Sequence, residues 1–546
     1  MTKKTAKLAS NLTEKSDGVF DAVIVGAGIA GMYMLYRLRE RGLSSLVIEM
    51  ASDVGGTWHW NRYPGARCDT DTIEYSYSFC EELQQEWEWS SRYPTQPEIL
   101  QYLNHVADRF DLRPDILFKT RVQSAHFNEV TGHWGLQTDH GTKFSAQFLI
   151  MATGCLSTPH TPAIDGVDSF TGPIYHTGRW PHEEVDFSGQ RVGIIGTGSS
   201  AVQSIPVIAQ QADQLMVFQR TAQYSVPARN RPVDPEFVAE IKADYAGFRA
   251  RNRLQFSGQL SHFPHNDFSA LSVEPAERER IYEERWQIGG FPFFGSFNDI
   301  LRDQKSNDTA AEFVRRKIRA VVHDPKVADM LCPTHTIACK RPVLDSSFFE
   351  TFNQANVLLV DIHSAPIQEI TPTGLRTANS NYELDSIIFA TGFDAMTGTL
   401  LRMDIRGRKG LRLQEKWSEG PRNYLGLTIP GFPNFFTVTG PGSPSVLVNM
   451  VVAIEQHVEW IADCIDYMSE HEHRCIEAHL NAEHEWVDHV NKVADGTLSP
   501  TCNSWYLGAN IPGKTRVYMP LHGFPAYVKK CEELVANGYE GFLFSS

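Results

Sequence analysis

Gly26-Ala27-Gly28-Ile29-Ala30-Gly31 follows an apolar run at residues 22–25, and Gly196-Thr197-Gly198-Ser199-Ser200-Ala201 follows another at residues 192–195. A glycine-rich turn that opens a helix suits an anion, because the first N–H groups of a helix lack partners and its dipole is positive there. A pyrophosphate is the anion such a turn holds most often. The residue closing the next strand then reads the ribose. After the first turn it is Glu49, whose carboxylate accepts from a free 2′-hydroxyl and repels a 2′-phosphate; after the second it is Arg220, which attracts one, with Thr221 beside it. The first site therefore suits FAD or NAD and the second NADPH. Two nucleotides of opposite preference in one chain suggest a flavoprotein reduced by NADPH.

The elements that must carry these turns are legible around them. Ile29, Met32, Leu35 and Leu38 recur at helical spacing, Gly42 stands at a C-cap position, and the strand at 46–49 completes a βαβ unit. Residues 192–220 repeat the plan, with Pro206 in the helix as a source of a kink. The apolar run Phe148-Leu149-Ile150-Met151 ends in Ala152-Thr153-Gly154, and Ile387-Ile388-Phe389 ends in Ala390-Thr391-Gly392. Two such strand ends, one on each side of the second turn, suggest that the second domain is inserted in the first, with the chain crossing near 155 and returning near 385. Charged stretches with helical period fill much of 231–330, interrupted by the aromatic, glycine-rich residues 289–295. The division expected is a disordered tail at 1–18, an FAD-binding domain in two parts (19–155 and 386–546), an NADP-binding domain in two parts (156–230 and 331–385), and a helical subdomain at 231–330 over a substrate cleft.

The chain of 546 residues is too long for one ordinary domain, and its 42% hydrophobic and 21% charged content is that of a globular protein. A formal charge of −15 argues against a general affinity for nucleic acid or an anionic membrane surface. Arg315-Arg316-Lys317-Ile318-Arg319 is flanked by acids and reads as a solvated helix face. No apolar run reaches the roughly 18 residues of a membrane span. The nine cysteines form no CxxC pair or regular framework, which fits a reducing, cytoplasmic setting. Monomer and homodimer both remain open.

Between the two turns lies Phe170-Thr171-Gly172-Pro173-Ile174-Tyr175-His176-Thr177-Gly178-Arg179-Trp180-Pro181. On residue types alone it is a turn-rich linker in which His176 is a hydrogen-bonded structural histidine. Its pattern FxGxxxHxxxWP, carried by Phe170, Gly172, His176, Trp180 and Pro181, resembles in full the fingerprint of the type I Baeyer–Villiger monooxygenases. The run from Gly56-Thr57-Trp58-His59-Trp60 through Arg67-Cys68-Asp69 is similar to that family's longer signature. The likeness extends from Asp21 to Phe542 and leans towards the phenylacetone, steroid and cyclic-ketone enzymes.

This resemblance implies an α/β fold of two Rossmann-like domains, and oxidation of a small-molecule ketone by NADPH and O₂ to an ester or lactone. In the family the reaction runs through a C4a-peroxyflavin and a Criegee intermediate. Lys340-Arg341 would pass on composition for a surface basic pair; the resemblance makes Arg341 the catalytic arginine, Asp69 its partner carboxylate, and Lys340 a neighbour of the 2′-phosphate. It also assigns Thr57, Trp58, Trp60, Asp69, Tyr75, Val122 and Met450 to the FAD side and Trp505 to the NADP side. The loops at 440–450 and 500–514 then shape the cleft. An enzyme that oxygenates nitrogen or sulfur is the alternative, although such relatives usually lack the Trp-Pro ending seen at Trp180-Pro181.

Other chemistries lack their residues. His471, His473, Cys475, His479, His484 and His489 show no HExxH spacing, so no metal is expected. Cys68 and Cys80 are too far apart for the redox pair of a flavin disulfide reductase, and no GxSxG elbow marks a hydrolase.

Overall fold

The computed structural model describes residues 18–514 and 523–546. Apart from Gly18, the expected tail at 1–18 lies outside the described residues.

The first unit is built on a sheet ordered Asp404–Arg406, Val122–Asn128, His133–Thr138, Lys143–Met151, Val19–Val25, Ser45–Ile48 and Ile116–Leu117, with Phe435–Thr437 also paired to Lys143–Met151. The strands flanking the glycine turn run parallel, while Val122–Asn128, His133–Thr138 and Lys143–Met151 form an antiparallel meander. Helix Ile29–Glu40 buries Met32, Met34, Leu35 and Leu38 against this sheet and against helix Met450–Glu470. Arg41 ties the two helices together through Asp463 and Asp466, both at 2.7 Å. The C-terminal part of the chain thus completes the first core.

The second unit has five parallel strands, ordered Val357–Asp361, Gln214–Gln219, Arg191–Ile195, Ser386–Phe389 and Ile174–His176. Runs such as Val192, Ile194 and Val217 are fully buried, as parallel strands covered on both faces require. Helix Ser199–Ala209 continues through Pro206.

This sheet corrects the expected return to the first unit near 385. Ser386–Phe389 pairs with Arg191–Ile195 and with Ile174–His176, so the second unit keeps the chain until after Phe389. The two strand ends do not flank one shared site. Ala152 lies against Gly26, whose added Cβ would come 2.6 Å from the Ala152 carbonyl oxygen; Ala390 lies against Gly196 in the same way at 2.5 Å. Each glycine turn has its own small-residue strand end, because a backbone held at φ +106° or +115° and pressed on a neighbouring carbonyl leaves no space for a side chain.

The helical excursion divides between the two units. Pro235–Ala243 and Tyr245–Arg253 pack on Ile73 of the first unit, whereas Pro275–Ile288, Gln304–Val321 and Pro325–Leu331 share the hydrophobic core of the second. Tyr282, Trp286, Phe293, Phe297 and Phe313 form its aromatic centre. Among the described residues no helix is long and apolar enough to cross a membrane.

Candidate active site

Both nucleotide turns open into helices whose N-termini carry no side-chain cap, at Gly28 and at Gly198. The uncapped N–H groups are the donors a pyrophosphate takes up. In the first turn an added Cβ on Gly31 would sit 1.8 Å from the Gly26 carbonyl oxygen. The equivalent residue of the second turn is Ala201, fully buried, so that helix stands off by a methyl group. Glu49 is buried, and its carboxylate accepts from the backbone N–H of Ala27 and of Ala51, each at 2.6 Å. Burial raises its pKa, partly offset by these bonds and by the nearby charge of Arg179. The Glu49 carboxylate thus lies beside the first turn with lone pairs to spare.

Arg220 is exposed, and among the described residues neither it nor Lys340 has a carboxylate partner. Half-burial and the proximity of Arg220 both lower the pKa of Lys340. Two cations near enough to repel each other thus stand by the second turn. Thr197 Oγ1 donates to the Thr221 carbonyl at 2.9 Å, and Ser200 bonds Thr177 at 3.0 Å, which fixes the turn around Ser199.

The two units meet at Arg341. Its Nε and Nη2 donate to the two oxygens of Asp69, both at 2.9 Å, and its Nη1 donates to the Val446 carbonyl at 2.7 Å. Tyr506 lies close enough to act on its charge, and the Phe291 ring lies 5.5 Å from the guanidinium carbon. Burial works against the charge of Arg341, but Asp69 and Tyr506 outweigh it and raise its pKa, so the cation is permanent at any working pH.

The remaining residues expected on the FAD side lie along the longer signature and its neighbours. Thr57 opens the short helix Thr57–Trp60. Trp58 is buried and donates from Nε1 to the Tyr75 hydroxyl at 3.1 Å. Trp60 stacks under Arg179 at 4.1 Å, and Val122 is buried at the start of its strand. Met450 begins helix Met450–Glu470 and packs in the small cluster that also holds Trp505, Tyr506 and Val446. The loop at 500–514 is docked: Lys514 pairs with Asp394 at 2.6 Å and Asn510 donates to the Phe393 carbonyl at 2.8 Å.

Within the linker, Thr177 and Arg179 reach this site, whereas the fingerprint residues themselves make structural contacts. His176 accepts from the Gly178 N–H at Nδ1, which leaves Nε2 to donate to the His160 carbonyl at 3.2 Å. An added Cβ on Gly172 would meet the Asp385 carbonyl at 2.2 Å, and Trp180 is buried beside Tyr175 and Phe187, with Pro181 after it. These residues fasten the crossing strand to the second sheet.

Two of the scattered cysteines meet in space. Cys339 and Cys502 form a disulfide that joins the segment before Arg341 to the 500–514 loop. Cysteines separated by 163 residues give no sign in sequence that they meet in space. The other seven, Cys68 and Cys80 among them, are free. No group of metal-ligating side chains occurs among the described residues, including the histidines of 471–489.

A family profile described as pyridine nucleotide-disulphide oxidoreductase matches residues 23–249. A Baeyer-Villiger monooxygenase of Pseudooceanicola batsensis is 47% identical, over 96% of this chain and 96% of that one. The solved structure of an oxidized steroid monooxygenase bound to NADP superposes with a TM-score of 0.92 at 53% identity, covering 96% of this chain and 99% of that one. The chain belongs to the type I Baeyer–Villiger monooxygenases. As a member it is an FAD-dependent enzyme that uses NADPH to oxidise ketones. The chain's own residues fit the cofactors: a cradle at Gly26 and Gly31 that a Cβ would fill, and two cations near the second turn with no carboxylate partner among the described residues.

Four contacts of this Baeyer–Villiger site carry no sequence signal. Val446 acts through a carbonyl, Tyr506 is the neighbour of the more conspicuous Trp505, and Phe291 lies in a segment that reads only as an aromatic, glycine-rich interruption. Arg179, within reach of both Glu49 and Trp60, is hidden in the linker fingerprint.

Proposed function

We propose that the Asp69–Arg341 pair is the oxygen-transfer centre, with Glu49 reading the FAD ribose and Arg220, Thr221 and Lys340 reading the NADPH 2′-phosphate. The bidentate Asp69–Arg341 bond at the meeting of the two nucleotide units is the observation that carries this reading. FAD, when bound, activates O₂ and delivers one oxygen atom. The protein supplies position and charge.

A guanidinium has five N–H donors. Asp69 takes two and Val446 one, which leaves two free among the described residues. Those donors and the permanent charge would hold a ketone oxygen as it becomes an alkoxide, the step at which an oriented cation contributes most. Asp69 keeps the guanidinium plane fixed and compensates its charge in a half-buried setting. Trp505 and Tyr506, strapped down by Cys502, Asn510 and Lys514, would exclude water above it.

We further assign Thr57, Trp58, Trp60, Tyr75, Val122 and Met450 to the flavin wall. NADPH is regenerated in the cytoplasm and seven thiols stay free, which favours that location despite the one disulfide. Monomer and homodimer are separated by light scattering on the eluting protein.

The test is incubation of the yellow protein with NADPH, O₂ and a panel of cyclic, aryl and steroid ketones, with products weighed by mass spectrometry. The expected product is an ester or lactone heavier than its ketone by one oxygen; hydrogen peroxide alone, across the panel, would overturn the assignment. A second reading comes from a phenazine N-monooxygenase of Lysobacter antibioticus, 43% identical over 96% of this chain and 97% of that one. An N-heteroaromatic in the same panel decides it: an N-oxide in place of any ester would make nitrogen the acceptor.

A further inference from the structure

We infer that Arg92 is a positioning residue for ketone selectivity, holding the Phe291 wall at its distance from Arg341. The inference rests on the reading of Arg341 given above.

Asp69-Thr70-Asp71 holds two arginines through two carboxylates. Asp69 holds Arg341, and Asp71 accepts from Arg92 Nε at 3.1 and 3.2 Å. Arg92 and Asp71 are both 7% exposed, so the pair is nearly dry. An ion pair this deep is a costly way to obtain stability alone, because desolvation consumes most of its attraction. What distinguishes Arg92 is its other end. Its Nη1 donates to the Ile288 carbonyl at 2.7 Å and its Nη2 reaches the Gly289 carbonyl at 3.5 Å. These are the last carbonyls of helix Pro275–Ile288, the negative end of its dipole, where a cation is favoured.

That helix end is the base of the substrate wall. Gly289 and Gly290 follow at φ +74° and +73°, a double left-handed turn open to few residues other than glycine. The turn is wedged: an added Cβ on Gly290 would come 2.1 Å from the Tyr93 hydroxyl, and one on Gly289 2.5 Å from the Arg229 side chain. Phe291 is the next residue, half-buried, and faces the Arg341 guanidinium. Arg92 also lies 5.7 Å from the Phe263 ring and 4.9 Å from its neighbour Tyr93. His262 closes the far side of Asp71 at 3.7 Å. One guanidinium therefore joins a carboxylate of the first unit to a helix of the second, at the point that sets how far Phe291 stands from the reacting carbonyl. Lysine carries the charge but not the fork needed for the carboxylate and two carbonyls together.

The test uses the FAD-loaded enzyme and compares kcat/KM for an aryl ketone with that for a small linear ketone. In Arg92→Met we expect the KM of the aryl ketone to rise about tenfold with kcat nearly unchanged, and the preference ratio to move at least about fivefold towards the linear ketone. The rate of flavin reduction by NADPH should stay at the wild-type value. Phe291→Ala should move the ratio the same way, and the double variant should lose no more than the larger single effect, the sign of residues acting through one contact. Arg92→Lys should fall between, which keeps the test available if Arg92→Met folds poorly. A lowered melting temperature with an unchanged ratio in Arg92→Met, or in Arg92→Lys where only that variant folds, would overturn the inference, as would effects of Arg92 and Phe291 that multiply. If the wild-type enzyme oxidised no ketone, the assignment of Arg341 would fall and take this one with it. Wild-type oxidation with an unchanged ratio in the variants strikes Arg92 alone.

Discussion

The two nucleotide units share a turn, a helix and a small-residue strand end, yet they grip with different force. The first closes tightly: Gly31 presses on the Gly26 carbonyl, Gly28 and Gly56 touch, and Glu49 is buried. The second is more open: Ala201 replaces the third glycine, an added Cβ on Gly198 would meet nothing within 4 Å, and Arg220 is exposed. The difference matches the two cofactors, since FAD stays through many turnovers whereas the nicotinamide coenzyme must exchange. A tight, buried cradle suits a resident group and an open, charged one suits a visitor.

The strongest way to break this comparison is to add one carbon to each turn. Gly31→Ala puts a Cβ into a backbone carbonyl and should cost about 3 kcal/mol, enough for the protein to be purified without its yellow colour. Gly198→Ala should keep FAD and lose only NADPH affinity. Visible spectra of the purified variants and titration with NADPH check both, and a colourless Gly198→Ala would contradict the contrast.

Next in size is the covalent tie between the segment before Arg341 and the 500–514 loop. Cys502→Ser opens the disulfide that spans 163 residues and should destabilise the protein by about 2–4 kcal/mol. Denaturant melts with and without a reducing agent would measure it; equal stability of wild type and variant under non-reducing conditions would mean that the bond does not form in solution.

A smaller effect separates the coenzymes. Arg220→Ala should weaken NADPH by roughly 1.5–3 kcal/mol, the range of a lost charged hydrogen bond, and spare NADH. Equal losses for both would reject the 2′-phosphate assignment.

The smallest expected effect concerns pH. Burial raises the pKa of Glu49, so it takes up a proton at a higher pH than the ordinary glutamate value of 4.5. Protonation replaces an acceptor with a donor and weakens its hold on a ribose hydroxyl. FAD retention should therefore be full at neutral pH and fall on acidification before an ordinary carboxylate would titrate. Glu49→Gln should remove that step, and a fluorescence titration of released FAD would reveal it.

How much of this was legible in the sequence depended on distance along the chain. Glu49 and Arg220 could be read because each lies at a fixed offset from its glycine turn, within one βαβ unit. Arg341 and Asp69 came from a resemblance, since nothing local ties a carboxylate in one signature to an arginine 272 residues away. Val446, Tyr506, Phe291 and the Cys339–Cys502 bond stayed hidden for the same reason: they are pairings between loops, set by packing and not by local pattern. The strand Ser386–Phe389 was recognised as a strand and placed in the wrong sheet. An apolar run followed by Ala-Thr-Gly fits either glycine turn, and only the pairing register chooses between them.

On this reading Arg341 holds the ketone oxygen during oxygen transfer and does not merely join the two units. Its direct test is Arg341→Ala, loaded with FAD and mixed with NADPH, O₂ and the best ketone of the panel. The account predicts flavin reduction at a rate near wild type and ester formation reduced by about a hundredfold or more, the loss expected for an electrostatic group at the reacting centre. Ester formation within a few fold of wild type would contradict it.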